Sequence, residues 1–173
     1  THWPDTWTGW RNDKASLPDA ESLSFFKPTY NRLDFRFPDS TGKMVSLSDP
    51  EFNNKVVIVQ LMGSWCPNCM DETIFLTSFY SRYKERGVEI IALDYERIAD
   101  TSAIWKNISR LKKQMDISYP ILYAGSSDRK AREKTLPMLS AIMALPTTII
   151  IDKRGKVRKI HTGFSGPASG AEY

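Results

Sequence analysis

The chain has 173 residues, of which 41% are hydrophobic and 25% are charged, and these values exclude a disordered or fibrous protein. Its two cysteines, Cys66 and Cys69, are too few and too close together for a small fold held by disulfides. The formal net charge is +4, but the basic residues are not interleaved with aromatic ones, so we predict no nucleic-acid partner.

Residues 1–31 differ from the rest of the chain. Three of the five tryptophans, Trp3, Trp7 and Trp10, lie here without a helical period. We predict an N-terminal arm or linker, or the remnant of a preceding domain, whose aromatic side chains pack on a main domain at 32–173. The sequence has no signal-peptide pattern and no apolar run long enough to cross a bilayer, so any membrane anchor is expected upstream.

Alternation and helical periodicity predict the elements of the main domain in chain order. Leu33, Phe35 and Phe37 alternate with polar residues, and the pattern resumes at Val45 after a turn, which predicts a β-hairpin. Buried strands are predicted from the apolar runs at 56–61 and 88–93. Further strands are predicted at 120–123 and 147–151, and 157–160 is predicted to pair antiparallel with the latter after a turn at 152–155. Helices are predicted from apolar residues at three- and four-residue spacing at 75–83 and 104–115, with a short one at 129–135. The alternation indicates an α/β fold with helices on both faces of a sheet that the last strand pair and the first hairpin make mixed.

The strongest chemical signal is Trp65-Cys66-Pro67-Asn68-Cys69, which lies between a buried strand and an amphipathic helix. Free backbone N–H groups at a helix N-terminus stabilise negative charge, and the thiolate is the reactive form of cysteine. We therefore expect Cys66 to be exposed at this terminus and Cys69 to lie one turn deeper, close enough to bond to it. Cys66 would then attack a substrate disulfide, and Cys69 would resolve the mixed disulfide. Pro67 suits the first helical turn, where its missing N–H is not needed.

A Cys-x-x-Cys sequence also allows two other interpretations. It can be half of a zinc site, for which His2 and His161 would be the remaining soft ligands, or the two cysteines can be incidental. We predict neither a metal nor a cofactor, because a zinc site needs about four ligands.

These motifs resemble the thioredoxin superfamily from about residue 31 to residue 164, and within it the TlpA/ResA-like branch of AhpC/TSA–Redoxin-like domains. The resemblance rests on Trp-Cys-x-x-Cys after a Val/Ile-rich strand and on Leu145-Pro146-Thr147, which opens a later strand. The matching stretches are Gly42–Asp49, Lys55–Val59, Gly63–Cys66, Pro146–Asp152 and Gly155–Val157. The resemblance implies a thioredoxin-like three-layer α/β/α fold with a central mixed sheet, an N-terminal β-hairpin and an inserted strand–helix unit.

The resemblance also implies roles for individual residues at the site. Cys66 corresponds to the attacking cysteine and Cys69 to the resolving one, while Pro146 corresponds to the cis-proline that faces the disulfide. A cis bond there leaves neighbouring backbone groups free to pair with a bound peptide. The substrate-binding residues implied in this way are Trp65, Pro67, Leu145 and Pro146.

An acidic residue beneath the cysteine pair is a further feature of ResA-like proteins, and Glu72 occupies the corresponding position. It could relay a proton to or from Cys69. The alternative is that Glu72, like Asp71, lies in the first helical turn and complements the helix dipole. This chain departs from thioredoxins at Gln60, which stands where they carry a buried acid, and at its C-terminal end, where the closing helix is expected to be very short or truncated.

These features predict a bacterial thiol–disulfide oxidoreductase that reduces disulfides of exported proteins through Cys66 and Cys69. The expected partners are protein disulfide or dithiol substrates and an upstream electron donor, and we expect a monomer. The resemblance implies a periplasmic or outer-cell-surface location, with a membrane or lipid anchor outside this sequence. One alternative is a thiol peroxidase, although Gly63 stands where peroxiredoxins have Thr or Ser. The other is a non-enzymatic recognition module that uses the arm or a basic face.

Overall fold

The computed structural model describes residues 8–16, 22–167 and 170. In chain order, the strands and helices are β1 (Arg36–Pro38), β2 (Met44–Ser46), β3 (Val56–Met62), α1 (Pro67–Tyr83), β4 (Val88–Glu96), α2 (Thr101–Gln114), β5 (Ile121–Ser126), α3 (Arg129–Thr135), β6 (Thr147–Ile151) and β7 (Val157–Thr162). The predicted alternation of strands and helices is therefore confirmed. In the described part of the chain, no helix has both the length and the apolar composition needed to cross a membrane.

The central sheet has five strands in the order β5-β4-β3-β6-β7. β3 and β4 are parallel, as are β4 and β5, whereas β6 runs antiparallel to both β3 and β7. The sheet is mixed as predicted, but the expectation that the first hairpin belongs to it is wrong. β1 and β2 form a separate two-stranded sheet. Phe37 of β1 stacks on Phe35, which directly precedes this strand, and both rings pack in the core beside the central sheet.

An apolar core lies on each face of the central sheet. α1 and α2 cover one face, where Ile90 and Ala92 of β4 are buried. The hairpin and the segment 136–142, which follows α3, cover the other face, where Ile91 and Leu93 are buried. Successive side chains of a strand point to opposite faces, so the single apolar run of β4 supplies both cores. The result is the three-layer arrangement that the sequence predicts.

β4 continues beyond its predicted end at residue 93 and reaches Glu96. The sequence predicts that the strand ends at residue 93, because Asp94 and Glu96 interrupt the apolar run. In the structure their side chains are 0% and 3% exposed. The strand therefore carries two carboxyl groups into the protein next to the cysteine-bearing loop.

The N-terminal arm only partly meets the expectation that it packs on the main domain. Phe26 pairs with Leu139 in an isolated β-bridge and packs against the core. Trp10 is 86% exposed, so the expectation is wrong for this side chain, whose segment makes local polar contacts instead. Trp3 and Trp7 lie outside the described residues. The domain boundary at residue 31 stays a prediction.

The chain after β7 returns toward α1. Phe164 packs against Phe75 with a ring-centroid distance of 6.0 Å, and a side chain on Gly166 would lie 2.9 Å from an Asp71 carboxyl oxygen. Among residues 163–167 and 170 there is no α-helix, and the remaining C-terminal residues lie outside the described part.

Candidate active site

The two cysteines lie at the N-terminus of α1. Cys66 is the residue that caps the helix, and Pro67 begins it. Both cysteines are free thiols in hydrogen-bond contact with each other. Cys69 is fully buried, and this burial, together with the contact to Cys66, raises the pKa of the Cys69 thiol. The predicted placement, with one thiol at the helix end and the other one turn deeper, is confirmed.

The expectation that Cys66 is exposed is wrong, since only 7% of this residue is accessible. Its sulfur lies 3.6 Å from the carbonyl oxygen of Leu145, to which the thiol donates. The partly buried Trp65 and Leu145 pack against the apolar cluster that contains Cys66 and cover this residue. The residue that follows this covered sulfur, Pro67, is exposed.

The Leu145–Pro146 peptide bond is cis, as the resemblance implies. Pro146 directly precedes β6, whose antiparallel pairing with β3 brings it to the end of β3 from which the cysteine loop leaves. The structure thus brings together Cys66 and Leu145, which are 79 positions apart. The contact of substrate with Trp65, Pro67, Leu145 and Pro146 stays a prediction.

The position of Trp65 is set by contacts with the end of β4. Its indole Nε1–H donates to the carbonyl oxygen of Tyr95 at 2.9 Å. The guanidinium of Arg97 lies 3.5 Å from the centre of the Trp65 ring, which is a cation–π contact. Gly63 leaves space for this ring, because a Cβ atom there would lie only 2.5 Å from Nε1.

Glu72 lies beneath the cysteines in a buried polar network. Since α1 begins at Pro67 and has no acidic residue in its first turn, the helix-dipole interpretation of Glu72 and Asp71 is wrong. The Glu72 carboxylate accepts from Gln60 at 2.9 Å and from Thr148 at 2.5 Å. Glu72 is 3% exposed, and this burial raises its pKa. Its negative charge in turn contributes to the raised pKa of Cys69.

The sequence did not predict the part that Gln60 plays in this network. Gln60 is fully buried on β3, and its amide Nε2 donates both to Glu72 and, at 3.4 Å, to the backbone carbonyl of Cys69. Thr73 donates to the same carbonyl at 2.8 Å. Gln60 thus connects the resolving cysteine to the carboxylate. The signal available in the sequence was one amide within an otherwise apolar strand.

Asp94 is a second functional candidate that was not predicted from the sequence. Its carboxyl oxygen Oδ1 accepts from the backbone N–H of Ser64 at 3.1 Å and so holds the loop that leads to Cys66. Burial, and then the neighbouring carboxyl of Glu96, raise the pKa of Asp94 to about 8. The sequence does carry a signal for a buried Asp94: polar residues alternate with apolar ones at the end of a predicted buried strand.

The described residues contain no group of three or more His, Cys, Asp or Glu side chains placed to hold a metal ion. His161 lies on β7, where it pairs with Thr148 of β6. His2 lies outside the described residues. The described residues therefore give the zinc interpretation no support.

Comparison with known proteins places these features in a family. The Redoxin family model matches residues 16–173. The chain is 34% identical over 124 residues to the thiol-disulfide oxidoreductase ResA of Bacillus thuringiensis subsp. konkukian, covering 72% of this chain and 63% of that protein. It is 33% identical over 141 residues to ResA of Bacillus cereus, covering 80% of this chain and 70% of that protein. The chain thus spans somewhat less than two thirds of the first relative.

Solved structures agree on the fold. A thiol:disulfide interchange protein of the thioredoxin family from Chlorobium tepidum superposes with a TM-score of 0.62 at 22% identity, covering 80% of this chain and 89% of that one. A thiol-disulfide oxidoreductase from Bacteroides fragilis gives a TM-score of 0.61 at 18% identity, covering 83% and 96%. The predicted thioredoxin-like fold is confirmed, and the chain belongs to the Redoxin family.

Proposed function

We propose that the protein is a thiol–disulfide oxidoreductase that reduces disulfides of exported proteins through Cys66 and Cys69. The observation that carries this proposal is a free dithiol at the N-terminus of α1, in contact with the carbonyl that precedes Pro146. The similarity to proteins named thiol-disulfide oxidoreductases supports it.

The first step is attack by the Cys66 thiolate on one sulfur of the substrate disulfide. The substrate S–S bond breaks, a bond forms between Cys66 and the attacked sulfur, and the other substrate sulfur leaves as a thiolate that takes up a proton. The N-terminus of α1 favours negative charge on the attacking sulfur. Extended backbone of the substrate would pair beside Pro146, on a surface formed by Trp65, Pro67 and Leu145.

The second step is attack by Cys69 on the Cys66 sulfur of the mixed disulfide. Cys69 must lose its proton first, because burial holds it as a thiol. Glu72 is proposed as the proton acceptor, since its own raised pKa allows a carboxyl at this depth to hold a proton. The second substrate sulfur then leaves and is protonated. In total the substrate disulfide gains two electrons and two protons, and the protein is left with a Cys66–Cys69 disulfide.

A thiol donor must then reduce this disulfide for a second turnover. We propose protein substrates and an upstream electron donor as partners, a periplasmic or outer-cell-surface location, and an anchor outside this sequence. The similarity to the TlpA/ResA-like branch supports these assignments. A monomer is sufficient for the proposed chemistry, since both thiols and Glu72 come from one chain.

Disulfide reduction with insulin as substrate and dithiothreitol as donor tests the proposal. Cys66→Ser should abolish the catalysed rate. Cys69→Ser should slow turnover strongly, and after incubation with insulin without dithiothreitol it should carry a mixed disulfide on Cys66, detectable as a mass increase that dithiothreitol then removes. Unchanged turnover in Cys66→Ser would refute the proposal. Rapid consumption of hydrogen peroxide without disulfide reduction would favour the peroxidase alternative instead.

A further inference from the structure

Two buried carboxyl groups lie behind the cysteine loop and take no part in the proposed chemistry. Asp94 and Glu96 project from the same face of β4, because they are two residues apart on a strand. Asp94 is 0% exposed and Glu96 is 3% exposed. The Asp94 oxygen Oδ1 accepts from Ser64, but Asp94 Oδ2 and Glu96 Oε1 are buried without a hydrogen-bond donor.

The described surroundings of the pair supply no ion pair that would stabilise two carboxylates. Among the described residues, neither carboxyl forms an ion pair with a lysine or arginine. The nearest arginine in the chain, Arg97, stacks on the ring of Trp65. On β5 the titratable group that faces the pair is Tyr123, a neutral phenol whose pKa is raised by burial and by both carboxyls. On the α2 side, Trp105 lies edge-on to Tyr123.

Two buried, contacting carboxyl groups without a cation cannot both be ionised at low cost. A single proton removes the conflict, because it lets one carboxyl donate to the other and satisfies both unpartnered oxygens at once. The contact between the two side chains contributes to the raised pKa of Asp94, after the larger effect of burial.

We propose that Asp94 and Glu96 share one proton and act as positioning residues, which hold the Ser64–Cys66 loop in place through the Asp94–Ser64 hydrogen bond while that proton is present. The loop is coupled to the end of β4 a second time, through the Trp65–Tyr95 hydrogen bond. When the proton is lost, the two carboxylates repel each other and draw in water. The Ser64 N–H by itself favours an ionised Asp94 and lowers its pKa, but the repulsion between two buried carboxylates outweighs this hydrogen bond. Asp94 therefore leaves Ser64, and the cysteine loop becomes mobile.

This inference deepens the proposed function and rests on it only for the effect on catalysis. The loop itself can be tested without any substrate, by amide hydrogen exchange at Ser64. In the reduced wild-type protein, the Ser64 amide should be protected at pH 6–7. Its protection should fall at least tenfold above about pH 8, after correction for intrinsic exchange.

Two isosteric variants replace the shared proton by a permanent donor. In Asp94→Asn the amide oxygen can still accept from Ser64, and the amide N–H donates to Glu96. In Glu96→Gln the donor comes from the other side. Both variants should keep Ser64 protected from pH 6 to pH 9.5, whereas Asp94→Ala should lose the protection at every pH. The exposed Glu85→Gln serves as the matched control and should behave as the wild type does.

Insulin reduction provides the second readout. The wild-type rate, measured relative to that of Asp94→Asn at each pH, should fall about tenfold above pH 8, and Glu85→Gln should show the same fall as the wild type. Ser64 protection that does not change up to pH 9.5 in the wild type would overturn the inference, as would its loss at pH 7 in both isosteric variants. Absence of reductase activity at all pH values would refute the proposed function, and hydrogen exchange would still decide the positioning role.

Discussion

Gly63→Ala is the most direct test of how the cysteine loop is packed. A Cβ atom at this position would lie 2.5 Å from Nε1 and 2.7 Å from Cε2 of Trp65, and 2.9 Å from the Tyr95 carbonyl oxygen. Because the carbonyl belongs to a central strand, the indole ring has to move, by about an ångström. The move breaks the Trp65–Tyr95 hydrogen bond and the stacking of Arg97.

The expected loss of stability follows from these contacts. A hydrogen bond contributes about 0.5–1.5 kcal/mol and an exposed cation–π contact about 0.5–1 kcal/mol. Forcing extra volume into a packed site costs about 1–3 kcal/mol. We expect a total loss of about 2–5 kcal/mol, which corresponds to a decrease in Tm of about 4–20 °C for a domain of this size. The rate of insulin reduction should also fall, because Gly63 accepts from the backbone N–H of Cys66 at 3.0 Å.

Urea unfolding followed by circular dichroism measures the change in stability. Gly9→Ala is the matched control, since a Cβ atom there has nothing within 4 Å, and it should leave stability unchanged within about 0.5 kcal/mol. A Gly63→Ala variant that is as stable as this control and reduces insulin at the wild-type rate would contradict the packing of Trp65 between Gly63 and Tyr95.

Three further predictions concern buried polar groups. Glu72→Gln removes a charge that raises the pKa of Cys69, so the Cys69 thiol should alkylate at lower pH in a Cys66→Ser background, while insulin turnover falls about 10²-fold through loss of the proton acceptor. Asp94 stays protonated in the folded protein up to about pH 8 but ionises near pH 4 in the unfolded chain. The free energy of unfolding should therefore fall between pH 5 and 7 by about 1.4 kcal/mol per pH unit. Asp94→Asn should remove this slope in urea titrations. Arg132 donates to the Ile142 carbonyl at 2.9 Å. Arg132→Met should therefore lower the free energy of unfolding by about 2–3 kcal/mol. It should also slow insulin reduction, because it loosens the segment that leads to the cis peptide bond. The matched exposed controls are Asp71→Asn and Lys130→Ala. Wild-type behaviour of any of these three variants would contradict the role given to its side chain.

The cysteine site was predictable because its determinants are local. A β-branched strand, a short loop and an amphipathic helix are each visible in a few residues, and together they place Cys66 at a helix N-terminus. The cis-proline lies 80 positions away and has no local signal of this kind. It was predicted only through the resemblance of Leu145-Pro146-Thr147 to a known family.

The surroundings of the cysteines could not be predicted in the same way, because they depend on tertiary contacts. Whether Glu72 lies on the surface or beneath the thiols is decided by Gln60 on β3 and Thr148 on β6, which meet it only after the sheet has formed. The burial of Asp94 likewise depends on the strands and helices packed around β4. From the sequence alone, a carboxylate in a helix or at a strand end is predicted to be exposed, because the tertiary partners that bury it are not visible there.

The central claim is that Cys66 and Cys69 form one reversible two-electron couple. Equilibration of the protein with mixtures of oxidised and reduced dithiothreitol, followed by acid quenching, thiol alkylation and mass spectrometry, measures it directly. We predict a single transition in which both thiols are lost together, with the slope of a two-electron couple, about 30 mV per tenfold change in the ratio of disulfide to dithiol. Two thiols that remain alkylatable under every oxidising mixture, or that are lost separately, would contradict it.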